Sequence, residues 1–169
     1  MNPHFIFNSL HSINKYILDN DKENASAYLS KFAKLMRLIL ENSREQDVPL
    51  EQDLQALELY LQLEALRFEN KFRYSIEIDD AVDKNNTLVP PLLLQPFVEN
   101  SIIHGIQFKD DGEIKIKINA GDNMIHCIVE DNGSGFAQQD NTEEQAGIKG
   151  RRSLGMAITR ERLDVINRL

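Results

Sequence analysis

The chain has 169 residues, with 19 Lys and Arg against 27 Asp and Glu, and a formal net charge of −8. That balance excludes a broad cationic footprint for DNA or RNA, so no direct nucleic-acid binding is expected and any anion site has to be local, built from backbone amides or a metal ion. The single cysteine, Cys127, excludes an internal disulfide and a multi-cysteine metal site, and no run of about 18 apolar residues offers a membrane span. The opening MNPHFIFNSL lacks the basic region and cleavage signal of a secretory leader, so the piece reads as soluble and cytoplasmic.

Over the first seventy residues apolar positions recur at steps of three and four, and glycine is absent until Gly105, which predicts helices. Asn2 and Pro3 read as an N-cap and a first-turn proline, followed by a stripe of Ile6, Leu10, Ile13 and Ile17, with His4, Asn8, His11 and Lys15 opposite. A second helix is predicted from Asn24 or Ser26, burying Leu29, Phe32, Met36 and Ile39 and ending at ENSREQDVP. The third carries Leu50, Leu54, Leu57, Leu61 and Phe68 near an a/d spacing interrupted by Glu64, a pattern that suits a hairpin or a dimer seam.

From Phe72 the period becomes two, and Phe72, Tyr74, Ile76 and Ile78 share one face of a half-buried strand. After NTLVPP a helix is predicted from about Leu92 to His104, with Gly105 as a left-handed C-cap. EIKIKIN and MIHCIVED give two further strands. A polar loop from Gly133 to about Arg152 and a final helix from about Leu154 to Arg168 follow. The expected class is α+β: a helical region, residues 1–69, joined to an α/β region, residues 70–169.

Three groups of residues stand out chemically. Asp131 shares the inward phase of Ile125, Cys127 and Val129, so its carboxylate needs a donor; the adenine amino group would serve, and so would an ordinary turn built with Gly133 and Gly135. Glu99, Asn100 and His104 lie on one helix beside Phe97, Val98, Ile102 and Ile103. An amide oxygen at Asn100 together with triphosphate oxygens would anchor Mg²⁺, or the amide would simply cap backbone. Gly147, Gly150 and Gly155, in GIKGRRSLGMAITRERL, leave backbone amides near a helix start, where phosphates bind, with Arg151 and Arg152 alongside.

In order, these groups resemble the N box and two glycine boxes of the GHKL ATP-binding fold of gyrase, histidine kinases and MutL. Joined to NPHFIFNSL, VPLEQDLQALELYLQLEALRFENKF and PPLLLQPFVENSIIHG, they make nearly the whole chain similar to LytS/YehU-type bacterial sensor histidine kinases. The resemblance implies a phosphoacceptor and dimerisation region followed by a GHKL (Bergerat) sandwich with a mixed, mostly antiparallel sheet. It assigns His4 as phosphoacceptor, Asn100 as Mg²⁺ ligand and Asp131 as the acid on the adenine amino group. Gly133, Gly135 and Gly155 become glycine-box residues, and about 137–152 the ATP lid.

His4 is followed by Phe5 rather than an acid, so Glu99 is the candidate base or water-orienting group. Two positions depart from the pattern: Ile103 stands where relatives often have lysine, and Ser153 replaces a glycine of the second box. The chain also ends where the family adds closing strands and begins without a sensor, so a fragment is expected, tied to an inner membrane only by segments outside it. The implied activity is ATP- and Mg²⁺-dependent autophosphorylation of a homodimer, with relay to an aspartate of a response regulator, by family habit one of LytTR type. The competing readings are a degenerate module that dimerises or holds nucleotide, and a GHKL ATPase in which His4 only packs or caps.

Overall fold

The computed structural model describes residues 2–107 and 109–133, and the backbone of 152–154. In chain order the elements are α1 (Pro3–Leu18), α2 (Lys22–Asn42), β1 (Val48–Pro49), α3 (Leu50–Arg67), β2 (Phe72–Ile78), β3 (Leu88–Val89), α4 (Gln95–Asn100), β4 (Gly112–Gly121), β5 (Met124–Asp131) and β6 (Arg152–Leu154). A π-helical turn, Ser101–Ile106, continues α4. The class is α+β, and the chain divides into two units: Met1–Asn70 with Asp83–Gln95, and Lys71–Val82 with the chain from Pro96 on. Residues 83–95 thus group with the helices, although they lie beyond the first sheet strand.

In the helical unit α1, α2 and α3 pack on one another, and the short β1–β3 ladder pairs Val48 with Val89. Asn2 caps α1 as its sequence predicts, its side chain accepting from the His4 N–H at 2.9 Å, with Pro3 in the first turn. The buried side of α1 differs from the predicted stripe. Phe5, Ser9 and Ile13 face inward, whereas Ile6, Leu10 and Ile17 are exposed. An aromatic ring buries more surface than an aliphatic branch, and Phe5 lies 4.9 Å from the Tyr60 ring and 6.3 Å from Phe32. Ser9 is small enough to admit Tyr28, whose hydroxyl lies 3.5 Å from Ser9 Oγ.

α2 starts at Lys22, earlier than predicted, because Asp21 accepts from the Asn24 N–H and supplies the cap. It buries Ala25, Tyr28, Leu35 and Asn42; Leu29 is exposed, and Phe32, Met36 and Ile39 are half-buried. α3 is enclosed within its own chain, with Leu50, Leu54, Ala56, Leu57, Tyr60, Leu61 and Leu63 all buried. Of the two readings of its leucine spacing, packing inside one chain is the one adopted. Glu64 interrupts the spacing yet is itself buried. It accepts from Arg67 Nε at 3.0 Å, and the Arg67 guanidinium lies 4.0 Å from the Phe68 ring centroid.

In the second unit the sheet order is β2-β4-β5-β6, with β2 parallel to β4 and the other pairs antiparallel. Ile114, Ile116 and Ile118 are fully buried, and across the ladder they face Asp131, Val129 and Cys127. The predicted alternation therefore holds through β4 and β5. On the other face Lys117 pairs with Glu130 at 3.4 Å. Arg152–Leu154 pairs with β5 as a strand, where the sequence reads as the end of a loop and the start of a helix. The rest of that loop and helix lies outside the described residues.

The helix predicted from Leu92 starts at Gln95 instead. Leu92 takes a left-handed backbone, φ 57°, and cannot continue a right-handed helix. At the other end Gly105 lies inside the π-helical turn, not at a left-handed cap.

Candidate functional site

In the helical unit the feature of interest is the imidazole of His4. Phe5, 4% exposed, anchors the first turn of α1 in the core, and the neighbouring side chain is therefore turned out to solvent. Its Nδ1 lies 3.0 Å from Asn8 Nδ2, one turn along the helix, so the ring is held from the side of Nδ1. Two neighbours with opposite fates, one buried and one held at the surface, make His4 an exposed imidazole rather than a core residue.

In the sheet unit the site is built around Asp131. Its place opposite Ile114 at the end of β5 brings the carboxylate to the edge of the apolar face, where it is half-buried. Oδ1 accepts from the Gly133 N–H at 2.9 Å, and Oδ2 has no hydrogen bond among the described residues. Gly105 leaves the space that this side chain needs: a Cβ there would stand 2.7 Å from Asp131 Oδ1. A Cβ on Gly133 would collide with the backbone of Gly105. The two glycines thus let the π-helical turn and the chain leaving β5 close on the carboxylate from two sides.

Asn132, between Asp131 and Gly133, faces the other way and ties this corner to the start of β4. Its Oδ1 accepts from the Glu113 N–H at 2.8 Å, and its Nδ2 donates to the Asp111 carbonyl at 2.9 Å. Lys109 Nζ donates to its carbonyl at 2.6 Å. Asp131 is therefore positioned by a rigid frame rather than by a free loop.

Asn100 ends α4 and opens the π-helical turn; it is exposed, and its side chain makes no capping hydrogen bond there. Glu99 is half-buried and His104 exposed. Ser101, next in sequence, is buried, and its Oγ has no hydrogen-bond partner among the described residues. Single π-helical turns inside α-helices frequently mark functional sites. Ser153 is described in its backbone alone, opposite Glu130. Gly135, Gly147, Gly150 and Gly155 lie outside the described residues.

The residues present fit a nucleotide on two counts. A half-buried carboxylate has, among the described residues, one oxygen without a hydrogen bond that could take an amino donor, beside a backbone cradle that a single Cβ would fill. An uncapped amide stands one turn before that cradle, and an amide oxygen with phosphate oxygens suits Mg²⁺. Among the described residues no three His, Cys, Asp or Glu side chains gather into a metal-binding cluster, and no helix is long and apolar enough to cross a membrane.

Sequence reasoning passed over Asp53. It is 3% exposed on α3, and its carboxylate accepts from the N–H groups of Leu92, at 2.6 Å, and Leu93, at 3.2 Å. Burial pushes its carboxyl up to about 6 against the lowering effect of the two amides. The signal was available: Asp53 lies three residues after Leu50 and four before Leu57, in the apolar phase of its helix, just as Asp131 shares the inward phase of its strand.

Residues 1–72 match the family model described as histidine kinase. The chain is 37% identical over 140 residues to the sensor protein LytS of Oceanobacillus iheyensis, covering 82% of this chain and 23% of that protein. It is 33% identical over 162 residues to LytS of Bacillus cereus, covering 94% of this chain and 27% of the relative. With the sensor histidine kinase YpdA of Escherichia coli the identity is 32% over 137 residues, covering 80% of this chain and 24% of the relative. The chain spans about a quarter of the length of these curated relatives. Its first 72 residues belong to the histidine kinase family, and through most of its length the chain is of the LytS sensor-kinase type.

Proposed function

We propose that this chain carries the phosphoacceptor and the ATP-binding unit of a two-component sensor histidine kinase, and that it transfers the γ-phosphoryl group of ATP to His4. The observation that carries the reading is the Asp131 carboxylate, with one oxygen unengaged among the described residues, enclosed by Gly105 and Gly133. In this reading the unit from Pro96 on is a GHKL-type nucleotide domain, with residues 70–169 as its extent and 1–69 as the phosphoacceptor and dimerisation region. Asp131 accepts from the adenine amino group, and the close backbones of Gly105 and Gly133 exclude water from that contact. Asn100 would hold Mg²⁺ through its amide oxygen, and the family resemblance assigns His104, Gly135, Gly147, Gly150, Ser153 and Gly155 to nucleotide binding.

Bound Mg²⁺ neutralises phosphate charge, and the rest of the task is positioning. The imidazole of His4 supplies the lone pair that forms the N–P bond, as the bond from the γ-phosphorus to the bridging oxygen breaks and ADP leaves with its electrons. Asn8 restrains the ring at Nδ1. Glu99 serves as base or water-orienting group. The phosphohistidine then passes its phosphoryl group to an aspartate of a response regulator, by family habit one with a LytTR-type DNA-binding domain. The partner in the active form is a second copy of the chain, and the complete protein is held at a bacterial inner membrane by segments other than these 169 residues, with this part on the cytoplasmic side.

The test is incubation with γ-labelled ATP and Mg²⁺, followed by acid and base treatment. Acid-labile, base-stable label that disappears in His4→Gln is the expected result, and label that persists in that variant refutes the assignment. Nucleotide binding without label would be the signature of the competing degenerate-module reading.

A further inference from the structure

Asp53 is buried and accepts from two consecutive backbone amides, one on each carboxylate oxygen. The segment it grips leads into α4, which begins at Gln95, and Leu92 is kept at φ 57°, a conformation that a bulky side chain rarely takes. A buried ionised acid with no cation partner among the described residues works against stability, since two amides only partly offset its lost hydration. A strained backbone held by a costly charge is the pattern of a functional constraint rather than of packing.

We infer that Asp53 is a positioning residue for the nucleotide site: its carboxylate fixes Leu92 and Leu93, and so sets the starting point and phase of the helix that carries Glu99 and Asn100. The inference rests on the reading of Asn100 as a ligand of the nucleotide-bound ion, but the clamp itself can be measured without it. An asparagine at 53 has the same shape but only one acceptor, and its NH₂ group would meet the second amide donor to donor.

The experiment compares the 169-residue chain with its Asp53→Asn variant by thermal melting, by amide hydrogen exchange and by titration with MgADP. The expected result is a folded variant whose exchange at Leu92, Leu93 and along α4 is faster by about tenfold, the effect of one lost charge-assisted hydrogen bond. Exchange in β4 and β5 stays unchanged, and MgADP binds about tenfold more weakly. Unchanged exchange at 92–100 in a folded variant overturns the clamp. Faster exchange with unchanged MgADP affinity overturns the positioning role.

If the unsubstituted chain itself does not bind MgADP, the nucleotide reading fails while the exchange comparison still decides the clamp. Should Asp53→Asn not fold, Asp53→Glu takes its place: the longer side chain moves the carboxylate off the two amides, and protection at Leu92 and Leu93 is expected to fall relative to the unsubstituted chain. Equal protection overturns the clamp. The neighbouring charges on this end of α3 are Glu51 and Lys84, paired with each other at 2.9 Å.

Discussion

Gly105 is a glycine because Asp131 occupies the volume where its side chain would be, and this single contact joins the two motifs of the nucleotide reading. Gly105→Ala forces the carboxylate aside. Overpacking of this kind costs about 1–3 kcal/mol, and MgADP affinity is expected to fall by about tenfold if Asp131 binds the adenine amino group. A melt and a titration on the same sample check both, and unchanged affinity would remove Asp131 from the site. At the other chemical residue, the 3.0 Å contact from Asn8 to His4 Nδ1 favours one imidazole tautomer, whichever of the two groups donates. In Asn8→Ala the ¹⁵N shifts of the His4 ring should relax toward a mixture of the two neutral forms, and shifts unaltered by the substitution would show that the amide has no hold on the ring.

At the scale of elements, the first turn of α1 depends on Asn2 as its cap. Asn2→Ala is expected to cost about 1 kcal/mol and to loosen the turn that carries His4, seen as lower protection at its amides. α3 carries a pH-linked term through Asp53. Its folded carboxyl titrates at about 6, above the ordinary value of 3.8, so between those values the native state binds more protons than the unfolded chain. Stability from this group is therefore fully present below pH 4 and is lost as the pH rises through about 6, by on the order of 3 kcal/mol. Asp53→Asn should flatten that segment of the stability curve, measured by urea unfolding across the range, and a curve of unaltered slope would show that Asp53 does not titrate there. The inward phase of Asp53 could be read from its helix, but its partners could not, since Leu92 and Leu93 lie about forty residues further on.

At the scale of the molecule, the helical unit keeps an apolar surface outside its own core. Phe7, Leu10, Ile17 and Leu18 on α1 are 49–76% exposed, and Leu29 and Leu40 on α2 are exposed as well. Exposed apolar side chains grouped along helices mark association surfaces, and this group, rather than the enclosed leucines of α3, is the face on which the proposed homodimer would form. Leu10→Glu combined with Ile17→Glu should shift sedimentation from dimer to monomer while leaving the melting temperature of the monomer unchanged. A dimer that withstands both substitutions places the contact elsewhere.

What the sequence determined by itself was local and periodic. The α+β class, the cap at Asn2, the two-residue alternation that turns Asp131 inward, and the helices of the first seventy residues follow from spacing and from the backbone preferences of Asn, Pro and the branched residues. Tertiary structure decided which face each helix buries, because α1 offers several apolar stripes and the choice fell to Phe5, whose ring meets Tyr60 and Phe32. It also decided why Gly105 is a glycine, where α4 begins, and what satisfies Asp53. Each of these depends on a group far away in sequence, Asp131 for Gly105 and Leu92 with Leu93 for Asp53, and periodicity along one segment carries no information about what packs against it from another.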